Sequence, residues 1–170
     1  DLNRNFAHFW NSTTNGSSGN ACSDVYRGAS AESEPETLAI SNYIRAIFQD
    51  ARGPNQEDAA PDDTTGMHID IHSYSELVLW PYGHTDTVSG NDASFRALGN
   101  KLAWFNNYSP QQSIGLYPTD GTSDDVSYGE LGVAAITFEL GTNFFQQCDD
   151  YTNTIKQKNL DALLYSAKAV

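Results

Sequence analysis

Apolar and polar positions alternate with a period of two over "MHIDIH", residues 67–72. A short apolar run, "LVLW" at 77–80, follows after a polar break. Both read as strands. "GVAAITFE", 132–139, is apolar almost throughout and closes on a glutamate, as a buried strand does. Helical spacing takes over in "SAESEPETLAISNYIRAIFQD", where Leu38, Ile40, Tyr43, Ile44 and Ile47 form an apolar face. Ser33 as N-cap, Pro35 in the first turn and Glu36 completing a capping box predict a helix over 34–49. Further helices are expected over 92–106, from "SDDVSYGE" with Asp125 as its cap, and in the amphipathic C-terminal "TIKQKNLDALLYSAKAV". Residues 11–24 read as an Asn/Ser/Gly loop and 50–66 as an exposed acidic connection. With no internal repeat, helices interleaved with apolar strands predict an α/β fold: a mixed, mostly parallel sheet flanked by helices.

Composition narrows the classes. At 170 residues the chain suits one domain with a real core. Its 39% hydrophobic and 12% aromatic content argues against disorder despite a net charge of −13. Nine Lys plus Arg against 22 acids leave no basic patch for nucleic acid, and no apolar run approaches the ~20 residues of a membrane span. Strong acidity and few lysines point to a secreted protein and could favour cationic substrates. Cys22 and Cys148 are too few and too far apart for a zinc ribbon or a redox CxxC pair. They pair with each other or have partners elsewhere. The absence of an initial Met and of a signal peptide reads as a chain that begins inside a processed or truncated product.

Ligands of α/β sheets gather at the carboxyl ends of strands. There the sequence places His72-Ser73-Tyr74 and, after another strand, Glu139. A neutral imidazole beside a carboxylate serves many hydrolases as metal ligand and general base. A lone strand-end histidine is more often structural, however, and no second ligand stands near. His68 and His72 share a strand face but lie ~13 Å apart at ~3.3 Å per residue, too far for one ion. His8 and His84 have no neighbouring ligand pattern, and no HxxE or helical HxxxH pair exists. Arg4 could be a surface ion-pair partner and Tyr117 a loop aromatic. Glu139, closing an apolar run, is harder to explain structurally, because a buried carboxylate needs a partner.

The ordered segments "DLNRNF" (1–6), "CSDVYRG" (22–28), "SAESEPET" (30–37), "IHSYSELVLWPYG" (71–83), "LYPTDGTSDDVSYGELG" (116–132) and "TFEL" (137–140) resemble the zinc metallocarboxypeptidases of the carboxypeptidase A and B type. They cover most of the chain. The resemblance implies a zinc-dependent exopeptidase that releases single residues from the C-termini of peptides and proteins. It gives His72 the role of a zinc ligand and Glu139 that of the general base. Asn3 and Arg4 would grip the terminal carboxylate, which suits the planar donor fork of arginine. Tyr117 would be the mobile tyrosine that closes over the bound end, with Ser73 and Tyr74 along the adjacent subsites. Asp1 matches a carboxylate that orients a zinc histidine. Asp124, seven positions after Tyr117, would lie at the base of the specificity pocket and favour Lys or Arg ends, with broad A/B-type specificity as the alternative. The resemblance also implies cis peptides at Ser73–Tyr74 and Pro81–Tyr82.

In that family an upstream HxxE motif supplies the first two zinc ligands and an upstream arginine stabilises the oxyanion. None of these is in the chain. Residues 1–170 therefore read as the C-terminal portion of a single metallocarboxypeptidase catalytic domain, inactive alone, whose partner is the N-terminal part of the same domain. The family's partner for Cys22 is also upstream, so Cys148 is the internal candidate. Oxidising surroundings favour a Cys22–Cys148 bridge, with two free thiols as the other outcome. Two other classes compete. A carboxylate-binding module would need Arg4 and Tyr117 but neither His72 nor Glu139. A serine hydrolase would need a GxSxG elbow, and "GTSDD" lacks its final glycine.

Overall fold

The computed structural model describes residues 1–169; Val170, at the end of the expected C-terminal helix, lies outside them. A tight turn at Leu2–Arg4 opens the chain. After a long irregular stretch come α1 (Pro35–Ile47), β1 (Met67–His72), β2 (Leu77–Trp80), α2 (Asp92–Asn106), β3 (Ser109–Gln112), α3 (Ser123–Leu131) and β4 (Ala134–Glu139). Then α4 (Cys148–Asp150), a wide helical turn at Tyr151–Ile155 and α5 (Lys156–Ser166) follow without a break. The four strands form one sheet in the order β1-β4-β2-β3. β1 is parallel to β4 and β2 to β3, while β2 and β4 are antiparallel. The sheet is mixed, as expected, with helices on both faces.

The alternation in β1 decides which face does what. Successive side chains of a strand point to opposite faces. Met67, Ile69 and Ile71 line a groove together with Leu163 and Ala167 near the C-terminal end of the chain. His68, Asp70 and His72 turn to α3, where His68 Nδ1 lies 2.6 Å from the Ser127 hydroxyl. The polar half of the pattern thus faces a helix and a cleft. The main core, including Val78, Trp80, Phe95, Leu102, Ile136 and Phe138, fills the space between the sheet and α2.

Three local expectations are corrected. α1 begins at Pro35 with Glu34 before it and no side-chain cap; Ser33 instead donates to Glu34 and receives the Asn5 amide. Its buried stripe is Thr37, Ser41 and Ile44, leaving Leu38, Ile40, Tyr43 and Ile47 exposed. α1 lies against α3 through Ile44, which packs with Leu131 and Val133, and through Arg45, which pairs with Glu130 at 2.6 Å and Glu32 at 2.8 Å. β4 starts two residues later than predicted, because Gly132 adopts φ +79° and closes α3 with its N–H on the Tyr128 carbonyl. β3, "SPQQ", carries no strand pattern of its own and forms by pairing with β2.

The Ser73–Tyr74 and Pro81–Tyr82 peptides are both cis. The expected Cys22–Cys148 bridge is absent: both cysteines are exposed free thiols. Unfolding the protein without reductant is expected to expose two titratable thiols per chain, and a titre of zero would mean that they pair.

Candidate functional site

The pairing of β1 with β4 sets His72 directly opposite Glu139. These residues end two neighbouring parallel strands at the same level, so imidazole and carboxylate open together onto a cleft of about 270 Å³. Asn3, Arg4, Ser73, Tyr117, Asp124 and Asp1 line the same cleft. Tyr74 does not: it is exposed and stacks edge-on against Phe144, which borders the cleft (ring centroids 4.8 Å apart).

Arg4 is 6% exposed and is no surface ion-pair residue. Its Nε donates to the Gly16 carbonyl at 3.1 Å and its Nη1 to the Asn3 carbonyl at 2.6 Å. Nη2 donates to no group among the described residues, so the fork is fixed on one side and available on the other. Asp1, 3.8 Å from Nη1, adds only a longer ion pair. The Tyr117 ring lies 6.0 Å from the guanidinium and is half exposed at the mouth. Gly121 permits this assembly. It adopts φ +65°, and a β-carbon there would sit 2.6 Å from the Arg4 carbonyl oxygen. Its own carbonyl receives the Phe6 N–H at 3.0 Å.

The adjacent aspartates at the start of α3 part ways. Asp124 points into the cleft, within 3.4 Å of the Thr137 hydroxyl that donates to it. Asp125 is wholly buried and points away from the cleft, with His84 Nδ1 3.8 Å from its carboxylate. It caps nothing; Thr122 occupies the N-cap position, without a side-chain bond. The expectation that Asp125 caps the helix fails because the third residue of this helix faces the packed interior.

Burial governs the electrostatics. Asp124 is pushed up to about 7, mainly because burial disfavours its charge, with Asp125 and Asp70 adding repulsion. Burial likewise raises Glu139; His72 and Arg4 oppose that shift and Asp70 adds to it. His72 is raised, chiefly by its hydrogen bond with Asp70. Asp70, outside the motif segments, joins the site only through the fold. Its carboxylate lies 3.0 Å from His72 Nε2. The available signal was the spacing in "DIH", which puts both side chains on one face of a strand.

A mixed α/β sheet thus presents an imidazole and a half-buried carboxylate at adjacent strand ends, beside a half-engaged arginine fork. The zinc carboxypeptidase family model matches residues 1–162, and the chain belongs to that family. Human mast cell carboxypeptidase A is 34% identical over 149 residues, covering 82% of this chain and 31% of that protein. Bovine carboxypeptidase B is 34% identical over 148 residues, with the same coverage of each. The solved structure of thrombin activatable fibrinolysis inhibitor superposes with a TM-score of 0.79 at 26% identity, over all of this chain and 44% of that one. The carboxypeptidase A of Helicoverpa armigera shares the fold at TM-score 0.79 and 22% identity, over 99% of this chain and 41% of that one. The chain thus spans about a third of the length of the curated relatives it matches.

The family implies zinc. His72 fits as one ligand, with its Nε2 turned to Asp70 and its Nδ1 left over. Among the described residues, no three His, Cys, Asp or Glu side chains converge to hold a metal ion. The residues present therefore offer one ligand position, His72, with the Glu139 carboxylate beside it.

Proposed function

We propose that this chain supplies the base, the carboxylate clamp and the specificity pocket of a zinc-dependent carboxypeptidase that removes single residues from the C-termini of peptides and proteins, favouring Lys and Arg. The observation that carries the reading is the convergence of Glu139, His72, Arg4 and Asp124 on one cleft. Arg4, with Asn3, holds the terminal carboxylate, and Tyr117 covers it from the mouth. Ser73 lies along the cleft and Tyr74 at its edge, where the preceding residues of the substrate would run. Bound zinc supplies Lewis-acid polarisation of the scissile carbonyl. Glu139 takes the proton from the attacking water and passes it to the leaving amine; its raised affinity for a proton suits that exchange. Asp124 pairs with a cationic side chain at the base of the pocket.

The other ligands come, on this reading, from the N-terminal part of the same catalytic domain. Among the described residues β1 pairs only with β4, so its outer edge is open to a further strand. Alone, the chain would bind carboxylate ends without cleaving them. Secretion is part of the proposal and rests on composition. No helix among the described residues is long and apolar enough to cross a membrane.

Release of C-terminal amino acids from peptides tests the whole reading, and Arg4 makes the test specific. Arg4→Ala in the zinc-loaded enzyme is expected to raise KM and to lower kcat/KM about 10²–10³-fold, the cost of losing a charge-assisted contact in a buried clamp. Cleavage of amidated ends as fast as free ones by the unsubstituted enzyme would refute the clamp.

A further inference from the structure

We infer that Asp70 is the positioning residue that holds His72 with its proton on Nε2 and its lone pair on Nδ1, and that it ties this imidazole to the helix carrying the specificity acid. The inference rests on the reading of His72 as a zinc ligand and adds the group that prepares it. Asp70 and His72 are two positions apart on β1 and share the face turned to α3. The carboxylate Oδ2 lies 3.0 Å from His72 Nε2 and also accepts from the Ser123 hydroxyl. Ser123 is the first residue of α3, next to Asp124. Its backbone N–H donates to Asn3 Oδ1 at 2.9 Å, which fixes the Asn3 amide and turns Nδ2 toward His72 Nε2 at 3.3 Å. The four residues close a ring, His72, Asp70, Ser123 and Asn3, with the Ser123 backbone N–H as its one main-chain link.

Two groups therefore compete for Nε2, and they demand opposite tautomers. If Nε2 accepted from the Asn3 amide, its lone pair would face the Asp70 carboxylate at the shorter distance, which is repulsive. If Nε2–H donates to Asp70, the bond has an ionised acceptor. Such bonds are shorter and about twice as strong as neutral ones. The carboxylate arrangement prevails. With the proton on Nε2, Nδ1 keeps its lone pair and has no partner among the described residues. Metal-ligating histidines are generally oriented in this way, and loss of the orienting carboxylate weakens metal binding about 10–100-fold.

The test has two arms. In the 170-residue chain, selective ¹⁵N labelling of histidine, read at a pH where the ring is neutral, should show His72 protonated on Nε2 and bare at Nδ1. Asp70→Asn, nearly isosteric, should shift His72 toward a mixture of tautomers. In the complete zinc-loaded catalytic domain, competition with a chelator should give Asp70→Ala a zinc dissociation constant 10–100-fold above that of the unsubstituted enzyme, with Ser123→Ala moving it in the same direction by less. A His72 protonated on Nδ1 in the unsubstituted chain would overturn the inference. So would unchanged zinc affinity in Asp70→Ala with an altered Lys-to-Leu preference, which would make Asp70 a second acid of the specificity pocket. An unsubstituted domain that binds no zinc would refute the proposed function instead, and the tautomer arm would still decide the role of Asp70. If Asp70→Ala does not fold, Asp70→Asn carries both arms.

Discussion

Glu139→Gln in the zinc-loaded enzyme is expected to lower kcat by about 10³-fold while leaving substrate affinity within a few-fold. The amide keeps the shape and the strand-end position but cannot take a proton, and a positioned general base contributes about 10²–10⁴-fold to rate. Binding should survive because the gripping groups, Arg4, Asn3 and Asp124, are separate side chains from other elements. Calorimetric binding of a peptide ending in Lys to the Gln variant, beside single-turnover kinetics, checks both halves. Turnover within tenfold of the unsubstituted enzyme would remove Glu139 from the reaction. Loss of binding together with turnover would mean that the carboxylate mainly organises the cleft.

The second large effect is on the choice of substrate. The enzyme should release C-terminal Lys or Arg faster than Leu or Phe, and Asp124→Ile should reverse that order, moving the Lys-to-Leu ratio of kcat/KM by about 10²–10³-fold. Asp124 is 5% exposed at the base of the cleft, where an unpaired charge is costly and a paired one much less so. Its proton affinity adds a pH signature. Pushed up to about 7 by burial and by neighbouring carboxylates, Asp124 is mostly neutral below that pH and ionised above it. Only the ionised form pairs with a cation, so preference for Lys over Leu should rise between about pH 6 and pH 8. kcat/KM is the right readout because it reports the free enzyme. The slope should vanish in Asp124→Ile. Equal rates on Lys and Leu ends, unchanged by the substitution or by pH, would show that Asp124 does not select the substrate.

Much of this was visible in the order of residues along the chain. β1, β2 and α2 fall at the bounds expected from apolar periodicity, because a two-residue or 3.6-residue pattern is a property of near neighbours. The motifs "DLNRNF", "IHSYS" and "LYPTDGTSDD" marked Asn3, Arg4, His72, Tyr117 and Asp124 through their resemblance to the zinc carboxypeptidases, not through periodicity. Residues adjacent in sequence can still diverge in space: only packing decided that Asp124 faces the cleft while Asp125 is buried beside His84. Packing also buried Thr37 and Ser41 of α1 in place of its more apolar face, on the side where Ile44 meets Leu131 and Val133. β3 was invisible because a polar tetrapeptide with a proline becomes a strand only by pairing with β2. Sequence determined which chemical groups this protein carries and roughly on which elements. The tertiary structure alone decided that Glu139 stands opposite His72 and that Asp70 holds the ring. Those contacts depend on strand register and on a helix laid across the sheet, and neither is a property of any local stretch of chain.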